Sequence, residues 1–160
     1  MLNFKILLVL LLYNTIPKLR LSIFVVFYIL LSYTTNKFKY NLLVVLYNMD
    51  EREKILRDNF EEYFQLGLKA FNEQKYNSTT TLFFKAIVAL CDLFLLKREV
   101  RIPSSHSDRF RNIEEKYPEL YKILDRDFPF YQDSYTKKMD KESAELLKDD
   151  IGKIKKILEE

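Results

Sequence analysis

The sequence predicts an all-α protein: an antiparallel up-and-down bundle of four to five helices with a hydrophobic N-terminal extension. Three observations carry this expectation. The stretch NSTTTLFFKAIVALCDLFLL has only Lys85 and Asp92 as charged residues over positions 82–96, so a helix there is apolar around most of its circumference and needs neighbours on several sides. The segments that flank it repeat apolar residues at steps of three and four, the pattern of one-faced helices that could cover such a core. Two glycines and four prolines in 160 residues are too few for a turn-rich β architecture.

The chain divides at Met49. Residues 1–48 form a hydrophobic, basic leader with apolar runs at 6–16, 21–33 and 42–47. Each run is shorter than the roughly 20 apolar residues that cross a bilayer. The uncharged stretch 21–36, bracketed by Arg20 and Lys37, comes nearest to a membrane anchor. A secretory signal is disfavoured because no small-residue cleavage site follows the leucines. The leader also has no Asp, Glu, Gly, Ala or Gln, whereas MDEREKILRDNF opens with an acidic turn that suits a helix N-terminus. Met49 is therefore the expected true start, with residues 49–160 as the helical domain and a species retaining residues 1–48 as the observation against it.

Charge follows the same division. The whole chain is +3, but Lys5, Lys18, Arg20, Lys37 and Lys39 lie in the leader without a single acid. That leaves 21 of the 26 basic residues against all 23 acidic ones, net −2 for residues 49–160. Acids and bases are mixed along every helix, which reads as solvated faces and not as the clustered cation surface of a nonspecific phosphate binder.

Within the domain, Leu56, Phe60, Tyr63, Phe64, Gly67 and Phe71 recur on one face of a helix expected over 50–74. Gly67 costs about 1 kcal/mol inside a helix, which a close crossing there would offset. Lys75 and Tyr76 make a turn, Asn77 or Ser78 is expected to cap the central helix, and that helix is expected to end at Leu96, before KREVRIPSSH. Ser104 or Ser105 caps a short helix over 106–116 that buries Phe110 and Ile113. Pro118 opens the next, with Leu120, Tyr121, Ile123, Leu124 and Phe128 inward, and Pro129 is expected to kink or break it. Asp140 caps a last helix whose Leu147, Ile151, Ile154 and Leu158 line one side.

Few residues invite chemistry. Cys91 lies in the apolar run and has no second cysteine to pair with, so it reads as a small buried hydrophobe in a reducing cytoplasm. His106 is the only histidine, which removes any histidine metal cluster, and no metal or cofactor is expected. Ser104 and Ser105 are caps before they are nucleophiles. Lys85 and Asp92, seven apart, share one helix face; burial of either charge alone is expensive, so the face is expected to be partly exposed or partnered from other helices. The alternative is a polar strip at a dimer seam or ligand groove.

Two resemblances add to this reading. The hairpin around KYN is similar to a tetratricopeptide unit, with Leu66, Gly67, Phe83 and Ala86 at its spacings, but a period of about 34 residues finds no second copy. Residues 61–158 resemble HEPN domains, the small prokaryotic helical bundles often encoded beside minimal nucleotidyltransferases. The resemblance lies in the order of KYNSTTTLFFKAIVALCDLFLL, PSSHSDRFRNIE and FYQDSY, the last looking like the family's Arg-x-x-Ala-Asp-Tyr element with Asp133 and Tyr135 in register.

The resemblance implies a homodimer and one of two activities. Many HEPN domains are similar to ribonucleases in which an arginine and a following histidine meet RNA at a dimer interface, with the guanidinium neutralising phosphate and the imidazole acting as acid or base. Arg101 and His106 have a suitable spacing but precede the helix that carries the motif in the catalytic branch, and Arg126, nearest to the motif's position, has no histidine after it. The leading expectation is thus a noncatalytic binding or regulatory module, partner of a nucleotidyltransferase in a toxin–antitoxin pair. The runner-up is a metal-independent RNA endonuclease using Arg101 and His106; a membrane-tethered or tetratricopeptide-like interaction module is third. Lys85, Asp92, Arg126, Asp133 and Tyr135 are the expected contact residues, Asp133 and Tyr135 through hydrogen bonds to a neighbouring helix.

Overall fold

The computed structural model describes residues 36–159, with five helices and no strand among them. They are α1 (Asn36–Asn72), α2 (Tyr76–Glu99), α3 (His106–Lys116), α4 (Pro118–Asp133) and α5 (Lys141–Glu159). The apolar runs at 6–16 and 21–33, and all of the 21–36 stretch except Asn36, lie outside the described residues. The run at 42–47 does not: it belongs to α1, which is a single helix of 37 residues passing through Met49 and not one that begins near Asp50. No proline falls between Asn36 and Asn72, so nothing interrupts the hydrogen-bond ladder where the composition changes. Leu46 and Met49 are both buried.

The α1–α2 hairpin turns tightly. Gln74 takes a left-handed conformation (φ 57°), and Lys75 N–H returns to Ala70 O at 2.9 Å. The helices run antiparallel, because contacts pair residues equally far from the turn: Gly67 with Phe83, and Leu56 with Leu93 and Leu96. The expected close crossing at Gly67 is present; a Cβ built there would sit 2.6 Å from two ring carbons of Phe83, a side chain with no exposure.

α2 is the axis of the bundle. It packs along α1 and α5 and against α4, while α3 lies on α4. Phe83, Phe84, Ile87 and Leu95 are fully buried, each contributing about 1.5–3 kcal/mol of transfer free energy. Leu120 and Leu124 of α4, Ile113 of α3, and Leu147, Ile151 and Ile154 of α5 close around them. By length and composition α2 could cross a membrane, but 78% of its most apolar window is buried inside the protein, the behaviour of a core helix.

Local signals set most of the remaining ends. Ser105 caps α3, its Oγ accepting from Asp108 N–H at 3.1 Å; Pro118 opens α4; Asp140 Oδ1 accepts from Ser143 N–H at 2.8 Å at the start of α5. Three expectations are corrected. α2 continues past Leu96 to Glu99, where Val100 in a left-handed conformation closes it through N–H to Leu96 O and Tyr117 OH donates to Glu99 at 2.6 Å. α2 has no side-chain cap; Asn77 instead reaches the α4–α5 loop, donating to Ser134 O (2.8 Å) and Lys137 O (2.6 Å) and accepting from Met139 N–H (3.0 Å). Pro129 does not break α4, because Phe128 and Tyr131 both pack on Phe84, with ring centroids 5.7 and 4.8 Å away, and hold the helix on either side of it.

Candidate functional site

Where α1, α2, the start of α3 and the end of α4 meet, they leave an open groove of about 260 Å³. α1 contributes Asn59 and Tyr63, α2 contributes Phe84, Lys85, Val88 and Asp92, and His106 and Tyr131 come from α3 and α4. Lys85 and Asp92 reach the same groove because seven residues is close to two helical turns.

The two charges are treated differently. Asp92 is 7% exposed and is held by Arg109, whose Nε and Nη2 donate to its two oxygens at 2.6 and 2.8 Å. Both partners are buried, so the geometry is the bidentate kind that a desolvated pair requires. Lys85 is exposed and meets only the ring of Tyr63, 5.6 Å from its centroid; among the described residues no carboxylate pairs with it. The groove therefore carries one uncompensated positive charge.

His106 stands at the first position of α3 with its ring among Phe84, Phe128 and Tyr131, at centroid distances of 6.4, 5.7 and 6.2 Å. Its Nδ1 lies 3.3 Å from Arg109 Nη1. A guanidinium can only donate, so Nδ1 accepts and the neutral ring carries its proton on Nε2. Partial burial, and secondarily the charge of Arg109, lower the imidazole pKa from its ordinary value, against an opposing pull from Asp92. Tyr131 OH is 2.5 Å from the OH of exposed Tyr135, and this bond with burial pushes the Tyr131 phenol up to about 12.

Arg101 is engaged elsewhere. Its Nη2 donates to both oxygens of Asp108 at 2.7 and 2.9 Å, and Nη1 to Asn112 Oδ1 at 3.2 Å. Asp108 also accepts from Ser104 N–H at 3.0 Å and from Arg111 at 3.2 Å; the Ser104 amide, ahead of the cations, holds its carboxyl well below the usual range. The group is a reinforced N-terminus for α3.

The remaining candidates are scattered. Arg126 bridges α4 and α5 by donating to Asp150, with a second contact to Asp127 at 3.2 Å, and Lys153 adds a 2.7 Å bond to Asp150. Asp133 pairs with Lys137, four residues on, and Tyr135 with Tyr131, so both act within the α4 terminus and its following turn and not on a neighbouring helix. Cys91 is fully buried, and burial pushes its thiol strongly up, which makes it inert. Among the described residues no group of three or more His, Cys, Asp or Glu is placed to hold a metal ion.

Of the expected residues, then, Lys85, Asp92 and His106 share one groove, while Arg101, Arg126 and Asp133 do not line it. Sequence reasoning missed Arg109, Tyr131, Asn59 and Tyr63. Arg109 had a signal, since it follows His106 by one helical turn and a buried Asp92 demands a cation. A second, larger groove of about 500 Å³ lies between α1, α2 and the end of α5, where Lys155 sits over the rings of Phe60 and Phe64 at 4.6 and 5.3 Å. Its lining mixes Arg57, Lys97 and Lys155 with Asp58, Glu61 and Glu159, without a dominant sign.

The fold and groove define the class only as an all-α helical bundle. Compared with known proteins, the chain matches no family model, no curated protein and no solved structure.

Proposed function

We propose that this protein is a noncatalytic helical binding module of the HEPN-like kind, a homodimer that serves as the partner of a nucleotidyltransferase in a toxin–antitoxin pair. The noncatalytic part is carried by one observation: the arginines that could assist His106 are occupied. Arg101 is bound by Asp108, and Arg109, which touches the imidazole, is bound by Asp92. Cleavage of RNA by an Arg–His pair needs a guanidinium free to take phosphate, and withdrawing Arg109 from a buried carboxylate costs several kcal/mol. The same residues suit binding, since the groove is aromatic and positively charged at Lys85.

The partner rests on the order of the three sequence elements that resemble HEPN domains, and the expected location is the cytoplasm. Capture of the tagged native protein from its own cells, followed by mass spectrometry, tests it. A nucleotidyltransferase recovered in near-stoichiometric amount with a dimeric bait supports the reading; a monomer that brings down none removes it. Recovery of the native protein in the membrane fraction would replace the cytoplasmic assignment with anchoring through residues 21–36.

A further inference from the structure

The groove beside α2 has the chemistry of a small-molecule site, and we propose that it binds a small aromatic carboxylate. Its sign comes from Lys85. The one carboxylate in the lining, Asp92, is neutralised by the bidentate Arg109 pair, whereas the Lys85 ammonium has no acidic partner. A cationic ligand would meet that ammonium and a spent carboxylate, so an anion is selected.

The second element is the tautomer of His106. Because Arg109 donates to Nδ1, the ring presents Nε2–H as a donor, and no group among the described residues accepts from it. Lys85 and His106 thus both line the groove as hydrogen-bond donors, an ammonium and an imidazole N–H, the chemistry that an anion accepts from. The third element is shape. Tyr63, Phe84, Val88 and Tyr131 give flat or branched apolar walls, and 260 Å³ falls just below the roughly 300–1,000 Å³ of pockets for drug-sized ligands. A single ring with its carboxylate matches both the volume and the walls. The inference needs the groove to be a binding surface, but not the identity of any protein partner.

Titration of the full chain with benzoate, benzamide and acetate, followed by the NMR shifts of the His106 ring and of Tyr63 and Tyr131, tests it. Benzoate is expected to saturate these shifts with a Kd of roughly 1 mM or tighter. Benzamide, which keeps the ring without the charge, and acetate, which keeps the charge without the ring, should each bind at least about tenfold more weakly. Lys85→Met and His106→Gln should each weaken benzoate by about tenfold, and Lys85→Met, at an exposed position, should leave the thermal midpoint nearly unchanged. Equal binding of benzoate and benzamide would overturn the charge argument, equal binding of acetate would overturn the ring, and no saturable shift would overturn the site. Failure to capture a nucleotidyltransferase while benzoate still binds would refute the partner assignment alone.

Discussion

Asp127 is expected to contribute stability that this bundle loses as pH rises through the weakly acidic range. The side chain lies on α4 without exposure; Oδ1 receives one 3.2 Å contact from its neighbour Arg126, and Oδ2 has no hydrogen-bond partner. Burial dominates over the attraction of Arg126 and Lys153 and pushes the carboxyl from 3.8 up to about 6. Between those values the folded protein holds a proton that the unfolded chain has released. Stability from this group is therefore complete below about pH 4 and is lost as pH rises through about 6. A shift of about 2 units corresponds to about 3 kcal/mol at most. Asp127→Asn removes the charge without changing the shape. Urea unfolding of both proteins from pH 4 to 7.5 should show a variant close to wild type at the acid end and more stable by about 2–3 kcal/mol at the neutral end. Using the difference between the two curves cancels the acids shifted the other way, Glu73, Asp108, Asp140 and Glu99, whose contributions disappear as pH falls. A difference that stays flat with pH, or a variant that loses stability as pH rises, would refute the reasoning.

Further substitutions address packing and polar contacts. Gly67→Ala should destabilise by about 1–2 kcal/mol in denaturant, because the added methyl overlaps the fully buried Phe83 ring and costs more than helix propensity returns, whereas Gly152→Ala, with open space around its Cβ, should stabilise by about 0.5–1 kcal/mol. Asn77→Ala removes three hydrogen bonds that fasten the α4–α5 loop to α2; a loss of about 2 kcal/mol, with faster amide exchange at Met139, is expected. Arg109→Met strands the Asp92 carboxylate and should cost about 3–5 kcal/mol, most of it recovered when Asp92→Leu is added, as measured by thermal midpoints of the single and double variants.

How much of this was legible in the sequence depended on whether the deciding contacts were local. The span of α3, the proline that opens α4 and the Asp140 cap follow from residues within one turn of each end, and all were readable. Gly67 was readable too, because a glycine inside an otherwise strong helical pattern asks for a close neighbour. The upstream part of α1 was not, since the acid-free composition of residues 36–48 masked the absence of any helix breaker. Asn77 looked like a cap because its type favours caps, yet its partners lie 57 to 62 residues away. Pro129 is tolerated through ring contacts with Phe84 on another helix. The groove was half visible: Lys85 and Asp92 share a face by simple periodicity, but which of the two would be neutralised depended on Arg109, 17 residues beyond Asp92 on a different element.

We propose that His106, with its nearby guanidiniums occupied by carboxylates, takes no part in cleaving RNA. Incubating the purified protein with total RNA, alongside His106→Ala and Arg101→Ala, tests it most directly. The RNA is expected to stay intact with all three proteins; cleavage by the wild type that disappears in the His106 variant would contradict this.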